Sequence, residues 1–94
     1  MTGEWNADEP ERAGARPPLI VYCRSWCGDC RRAKAWLQEN GIDYVEIDVD
    51  DDAAARQRAA GHNDGRLHTP TFELGDEVCI DFRPQRVLDM LDSR

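Results

Sequence analysis

The sequence predicts an α/β domain in which short strands and helices follow one another in the order β-α-β-α-β-β-α. Three observations support this fold class. Residues 19–23 form a continuous apolar run, which is typical of a central strand covered on both faces. Residues 43–49 alternate apolar and polar side chains with the period of a strand. Residues 71–74 and 78–82 flank a Gly-Asp-Glu turn, as the two strands of a β-hairpin do.

The first predicted helix covers residues 31–40, and the following Gly41 is placed to end it as the C′ residue. Helical spacing puts four side chains on its inward side: Cys30, Ala33, Trp36 and Leu37. In the strand that follows, the same reasoning puts three side chains on one face: Val45, Ile47 and Val49.

Two further helices are predicted. The second covers residues 53–60, because the acidic run Asp50-Asp51-Asp52 supplies N-cap candidates and first-turn negative charge, and Gly61 can end the helix. We interpret this acidic run as a helix cap rather than as a metal site. Residues 62–68 then form a polar loop. Pro84 suits the first turn of the last helix, whose predicted apolar face carries Val87, Leu88 and Leu91.

Length and charge exclude several classes of protein. Ninety-four residues leave room for one domain, and 12 Lys and Arg against 19 Asp and Glu give a formal net charge of −7. This balance disfavours binding to nucleic acid or to a membrane surface. No apolar run approaches the roughly 20 residues that span a bilayer, and residues 1–11 are too polar for a secretory signal. We therefore expect a cytoplasmic protein with a flexible tail over residues 1–18 and one domain over residues 19–94.

The strongest chemical signal is Cys27-Gly28-Asp29-Cys30, which follows a predicted buried strand and opens a helix. Two residues between the cysteines bring both sulfurs within disulfide distance. The first thiol lies over free backbone N–H groups and the positive end of the helix dipole, which stabilise its thiolate. We therefore predict that Cys27 attacks a disulfide and that Cys30 resolves the mixed disulfide. Gly28 allows the backbone of a partner to approach closely.

Charged residues around this motif act in opposite directions. Asp29 is expected to oppose thiolate formation by like-charge repulsion, whereas Arg24, Arg31 and Arg32 favour it. Further along the chain, Pro70 stands at the junction of a loop and a strand, where it is a candidate for a cis peptide bond that leaves a neighbouring backbone free to pair with an incoming chain.

Residues 21–30 (Val-Tyr-Cys-Arg-Ser-Trp-Cys-Gly-Asp-Cys), the element order and residues 69–72 (Thr-Pro-Thr-Phe) together resemble a glutaredoxin of the thioredoxin superfamily. The likeness covers about residues 19–91 and is greatest to short bacterial glutaredoxin-like proteins, including mycoredoxins and the redoxins of ribonucleotide reductase. It implies a thioredoxin-like fold with a four-stranded mixed sheet and flanking helices. It also implies roles for two groups of residues: Cys27 and Cys30 as nucleophile and resolving thiol, and Trp26, Thr69 and the cis-proline Pro70 as substrate-binding residues. We expect Arg24 and Gly28 to contribute to substrate binding beside them.

The sequence also departs from the family pattern. Glutaredoxins usually carry Thr-Val-Pro where this chain has His-Thr-Pro at residues 68–70, and a Gly-Gly pair with an acidic residue where it has Cys-Ile-Asp-Phe at residues 79–82. We therefore expect weak use of glutathione but intact dithiol exchange. The expected oxidant is a protein disulfide or a low-molecular-weight thiol disulfide. The expected electron donor is a small thiol, glutathione or another, or a flavin reductase. No bound cofactor or metal is expected, and the protein is expected to be a monomer.

Other interpretations stay open. Cys27, Cys30 and His62 or His68 could bind zinc, although a fourth ligand is missing. A bridged [2Fe–2S] dimer held by Cys27 and external thiols is a second alternative, and a non-catalytic interaction module of the same fold is a third. Cys23-x-x-x-Cys27-x-x-Cys30 also has the spacing of a radical-SAM cluster, but the chain is too short for that barrel. We interpret Cys23 and Cys79 as core residues, with Cys79 as an alternative redox thiol.

Overall fold

The computed structural model describes residues 17–92. Nearly all of the predicted tail, residues 1–16, lies outside the described residues. Within them, no helix is long and apolar enough to cross a membrane. The elements, in chain order, are β1 (Ile20–Cys23), α1 (Gly28–Glu39), β2 (Val45–Asp48), α2 (Ala53–Gly61), β3 (Thr71–Leu74), β4 (Glu77–Ile80) and α3 (Pro84–Asp92).

The described strands form a mixed sheet of four strands in the order β2-β1-β3-β4, which confirms the predicted fold class. Strand β1 pairs in parallel with β2, so that Cys23 lies opposite Asp48, and antiparallel with β3. The β3-β4 hairpin pairs Phe72 with Cys79. A parallel pair needs a crossover connection, and α1 supplies it. The cysteine motif therefore begins at the carboxyl end of a central strand.

Alternate side chains of β1 enter two cores on opposite faces of the sheet. Leu19, Val21 and Cys23 pack with residues of α1 and α3 in the larger core, together with Phe72 of β3. Tyr22 faces the other way and packs in a smaller core with residues that include Ala59 of α2. Strand β1 is thus covered on both faces, as its continuous apolar run predicts.

The smaller core also holds a buried carboxylate. The side chain of Glu73 is 4% exposed. It accepts a hydrogen bond from the Tyr22 hydroxyl at 2.6 Å and two from Arg58 Nε at 2.8 and 3.1 Å. His62 Nε2 lies 3.1 Å from the same carboxylate. A buried charge is tolerated when it is paired and hydrogen-bonded, and these contacts join α2 to the sheet.

The local boundary signals are confirmed except at Gly61, which is the last residue of α2 rather than its stop, because His62 is the C-cap. Asp52 caps α2, since its side chain accepts a hydrogen bond from the backbone N–H of Ala55 at 3.0 Å. Gly41 has φ +66°, the left-handed conformation of a C′ glycine. The helix α1 begins three residues earlier than predicted, at Gly28, because Cys27 acts as its cap.

Two predictions about apolar faces are wrong in part. In α3, Val87 is buried and Leu91 packs against the larger core as predicted, but Leu88 is 36% exposed and Met90 is buried instead. In β2, Val45 is 47% exposed. This strand is at the edge of the sheet, and its first two residues are exposed whereas the last two are partly buried.

Candidate active site

Cys27 is the N-cap residue of α1. Its backbone is extended, with φ −86° and ψ 117°, and its side chain accepts a hydrogen bond from the backbone N–H of Cys30, with the sulfur and nitrogen atoms 3.4 Å apart. The first N–H groups of a helix have no partner within the helix, and they lie at the positive end of its dipole. The chain therefore places one sulfur atom where a negative charge is best stabilised.

A second segment reaches the same thiol from 42 residues further along the chain. The Thr69–Pro70 peptide bond is cis, as the sequence suggested, and the Cys27 thiol donates to the carbonyl oxygen of Thr69 at 3.6 Å. The segment is held on both sides: the Thr71 hydroxyl donates to the carbonyl of His68 at 2.7 Å, and the N–H of Asp81 donates to the carbonyl of Pro70 at 2.9 Å.

The two thiols of the motif have opposite electrostatic environments. Burial alone would raise the pKa of Cys27, but hydrogen bonds from the side chain and backbone of Cys30 and from the side chain of Thr69, with the positive charge of Arg32, lower it below its ordinary value. Burial raises the pKa of the Cys30 thiol, and its hydrogen bond to Cys27 raises it further. Cys30 has no exposed surface. Of the two thiols, Cys27 therefore has the lower pKa.

The charged residues beside the motif include an ion pair. Asp29 forms an ion pair with Arg32, one helical turn away, and Arg32 is the arginine whose charge lowers the pKa of Cys27. Arg31 lies on the exposed side of the helix, and its predicted tuning role stays a prediction. Asp29 and Arg32 pair because positions i and i+3 lie on the same helix face.

Trp26 is exposed next to Cys27 in the chain, and the mostly covered side chain of Arg24 packs against its ring. The Trp26 side chain is 66% exposed, and the guanidinium carbon of Arg24 lies 5.2 Å from the centre of its ring. Nε of Arg24 lies 3.3 Å from a carboxylate oxygen of Asp50. Gly28 is also exposed. Trp26 and Gly28, which flank Cys27 in the chain, are therefore both open to solvent, and their predicted substrate-binding roles stay predictions.

Asp81 and His68 also lie beside the Thr69–Pro70 segment, although sequence reasoning did not select them as site residues. Asp81 has φ +78°, an uncommon conformation for a residue with a side chain. Its carboxylate accepts a hydrogen bond from the backbone N–H of Phe82 at 2.8 Å and lies 3.4 Å from His68 Nε2. That backbone hydrogen bond, with the His68 contact, lowers the pKa of Asp81. The sequence signal that could have identified Asp81 is its position as an acidic residue directly after a predicted strand.

Cys23 and Cys79 are both buried, 1% and 2% exposed respectively, as predicted for core residues. Cys79 packs in the larger core. Two residues further along the chain, the Asp81 side chain is half exposed.

The histidines proposed as zinc ligands have other partners, since His62 contacts Glu73 and His68 contacts Asp81. Over residues 17–92, no group of three or more His, Cys, Asp and Glu side chains is arranged to hold a metal ion.

A mixed sheet with a cysteine pair at a helix N-terminus and a cis-proline against the first sulfur defines a thioredoxin-like protein. The crystal structure of the thioredoxin-like protein BC3987 superimposes with a TM-score of 0.67 and 33% identity, covering 77% of this chain and 97% of that one. The chain belongs to the glutaredoxin family, whose model matches residues 19–79. Membership of this family supports a thiol–disulfide redox function in general.

Curated relatives agree with the family. A Mycobacterium tuberculosis protein, provisionally named a glutaredoxin, is 38% identical over 58 residues, which is 62% of this chain and 69% of the relative. A Pseudomonas aeruginosa protein named glutaredoxin is 35% identical over 60 residues, which is 64% of this chain and 70% of the relative. The glutaredoxin from Archaeoglobus fulgidus, at 18% identity and a TM-score of 0.66 over 80% of this chain and 86% of that one, shares the fold.

Proposed function

We propose that the protein is a dithiol thiol–disulfide oxidoreductase in which Cys27 is the nucleophile and Cys30 is the resolving thiol. One observation carries the proposal: the sulfur of Cys27 caps α1 beside the cis Thr69–Pro70 bond, while Cys30 is fully buried behind it. A thiolate held at the surface with a protonated thiol behind it is the arrangement that disulfide exchange needs.

The reaction has two steps. The Cys27 thiolate attacks one sulfur of a substrate disulfide, a mixed disulfide forms, and the other substrate sulfur leaves as a thiolate that takes up a proton. Cys30 then loses its proton and attacks the Cys27 sulfur. The substrate's second sulfur leaves as a thiol, and the Cys27–Cys30 disulfide remains. Two electrons pass from the cysteine pair to the substrate. No bound cofactor takes part in either step.

The surface around Cys27 supports a protein disulfide as substrate. Trp26 offers a large exposed ring that would bury apolar surface of a partner, and the flanking Gly28 adds no side chain to obstruct the partner backbone. The backbone of Thr69, held next to the sulfur, is placed to pair with the partner chain by hydrogen bonds. The partner chain would therefore lie between Trp26 and the Thr69–Pro70 segment.

The electron donor that returns two electrons is a small thiol or a flavin reductase. We propose that glutathione serves poorly, because the family's glycine pair is absent and the left-handed position after β4 carries Asp81, already engaged with His68 and the Phe82 N–H. In a Cys30→Ser variant, the glutathione mixed disulfide on Cys27 should be reduced slowly by glutathione, without saturation. Rapid, saturable reduction would contradict this part of the proposal.

The deciding experiment offers the oxidised protein to two donor systems: thioredoxin reductase with NADPH, and glutathione with glutathione reductase and NADPH. NADPH consumption is followed while the protein reduces an added protein disulfide. Turnover with the first system and little with the second is the expected result. Cys27→Ser must abolish turnover, and Cys30→Ser must abolish reduction of the protein disulfide. If the wild type is inactive with both donors and with a chemical dithiol, the chain is a non-catalytic member of the fold.

A further inference from the structure

A third thiol lies directly behind the cysteine pair. Cys23 is the last residue of β1 and Cys30 is the third residue of α1, and both are buried in the larger core, 1% and 0% exposed. Cys27 packs against the same cluster from its partly exposed side, and the Cys30 side chain influences the pKa of Cys23. The three cysteines therefore lie in one contiguous group that runs from the surface into the core.

We propose that Cys23 is a third redox-active residue, which exchanges with Cys27 in the oxidised protein to form a buried Cys23–Cys30 disulfide. This inference rests on the dithiol function proposed above, because the Cys27–Cys30 disulfide is its starting point. The position of Cys30 carries the argument, since a sulfur in contact with two cysteines can form a disulfide with either one.

The exchange needs no external oxidant. Cys23 loses its proton, and its thiolate attacks the sulfur of Cys30. The Cys27–Cys30 bond breaks as the Cys23–Cys30 bond forms, and Cys27 leaves as a thiolate. One disulfide exists before the step and one exists after it, so the oxidation state of the protein does not change. The only net change is the release of the proton from Cys23.

The direction of the exchange follows from the two environments. A thiol of low pKa is the better leaving group, and Cys27 has its thiolate stabilised at the helix N-terminus. Cys23 is the opposite case: burial raises its pKa, as do Cys30 and Glu46 of β2, while Lys34 of α1 lowers it. Because its raised pKa disfavours the thiolate, attack by Cys23 on Cys30 is slow. The exchange releases the Cys23 proton and leaves a stable Cys27 thiolate, so a higher pH favours the form with the Cys23–Cys30 disulfide.

The consequence is an oxidised protein with a free nucleophile. In the exchanged form Cys27 stays at the surface as a thiolate, but Cys30 is no longer available to resolve a mixed disulfide. Such a protein would react with a small-molecule or protein disulfide and retain the adduct. It would then show single-thiol chemistry while still carrying its own disulfide in the core.

The sequence makes the two disulfides easy to distinguish. Trypsin cuts after Arg24 and Arg31, so Cys27 and Cys30 share the peptide of residues 25–31 while Cys23 lies on the preceding peptide. The wild-type protein is oxidised with one equivalent of a disulfide reagent and incubated from about pH 6 to about pH 9. It is then quenched with acid, alkylated under denaturing conditions and digested. A Cys27–Cys30 disulfide leaves the label on Cys23, whereas a Cys23–Cys30 disulfide joins two peptides and leaves the label on Cys27.

We expect the ratio of the joined to the single peptide to rise with pH, by up to about tenfold per pH unit while Cys27 is charged and Cys23 is neutral. In Cys23→Ala, Cys27 should stay unlabelled at every pH. Cys79→Ala is the matched control, since it removes an equally buried thiol and should leave the ratio unchanged. If the label is found on Cys23 and never on Cys27 at any pH, the proposed exchange is overturned while the dithiol function stays intact. If neither disulfide forms, both proposals fail.

Discussion

The backbone N–H of Cys30 donates a hydrogen bond to the sulfur of Cys27 across 3.4 Å. This contact connects the two cysteines through the first turn of α1, and it favours negative charge on Cys27 only. The Cys30 side chain adds a second hydrogen bond to the same sulfur. The residue that resolves the reaction in the proposed function therefore also activates the nucleophile.

The first prediction assigns the thiols by titration. The rate of alkylation should show one fast thiol with a pKa below the ordinary value. This fast thiol should persist in Cys30→Ser, where the backbone N–H of residue 30 still donates to the Cys27 sulfur, and it should be absent in Cys27→Ser. Iodoacetamide alkylation against pH, followed by peptide mass mapping, measures this directly. A fast thiol that is lost in Cys30→Ser and kept in Cys27→Ser would reverse the two roles.

The second prediction concerns the two neighbouring arginines. Arg32→Gln removes the charge that lowers the pKa of Cys27 and should raise that pKa by about half a unit, because one exposed charge near a thiolate is worth about that much. Arg31→Gln is the matched control, since it removes the same charge from the next position. Equal shifts in both variants would mean that net charge, rather than the Asp29–Arg32 geometry, sets the pKa.

The third prediction concerns Asp29. Asp29→Asn should lower the pKa of Cys27 by a few tenths of a unit to about one unit, because a negative charge is removed near the sulfur. The ion pair with Arg32 screens Asp29. The same substitution should therefore have a larger effect when made together with Arg32→Gln, and alkylation of the four proteins against pH measures this coupling. Additive shifts would show that the ion pair has no influence on the thiol.

The fourth prediction tests the partner surface. Trp26→Ala should raise the KM for a protein disulfide several-fold, while the alkylation rate of Cys27 changes little, because the exposed ring contacts the partner rather than the sulfur. Val45→Ala removes a similarly exposed apolar side chain from the edge of the sheet and serves as the control. The idea fails if Trp26→Ala leaves the KM unchanged, or if Val45→Ala has an equal effect.

The fifth prediction concerns stability and pH. Burial alone would raise the pKa of Glu73, but hydrogen bonds from Arg58, Tyr22 and His62 lower it below the ordinary 4.5. A lowered carboxyl pKa contributes stability above the unfolded value, and this contribution is lost as the pH falls through the lower folded value. Glu73→Gln should therefore reduce the free energy of unfolding by about 2 kcal/mol at pH 7. The difference from wild type should shrink below about pH 4.5.

Glu46→Gln is the control for that experiment. Glu46 also forms an ion pair, with Lys34 at 2.7 Å, but its side chain is 41% exposed, and exposed pairs contribute about 0.5 kcal/mol. Urea unfolding of the three proteins at several pH values measures both effects. A Glu73→Gln difference that stays constant down to pH values well below 4 would mean that packing, and not the charge, accounts for it.

Signals confined to a few neighbouring residues were sufficient to predict the elements and the cysteine pair. The Asp52 cap, the left-handed Gly41 and the burial of Cys30 each depend on hydrogen bonds or spacing within one helix turn, which the order of residues determines. The same local rule explains why a sulfur atom at position 27 meets the N–H of residue 30.

Relationships between distant segments required the tertiary structure. Thr69 lies beside Cys27 only because β3 pairs with β1, and Asp81 reaches His68 only because the hairpin closes next to that loop. The exposed Val45 depends on β2 being at the edge of the sheet. Each of these three relationships depends on which strands pair and which helices cover them. That arrangement is determined by the total burial of apolar surface over the whole chain. No short stretch of sequence determines that total, so the place of Thr69 and Pro70 beside Cys27 was anticipated only through the resemblance to the family, and only the structure revealed the Asp81–His68 contact.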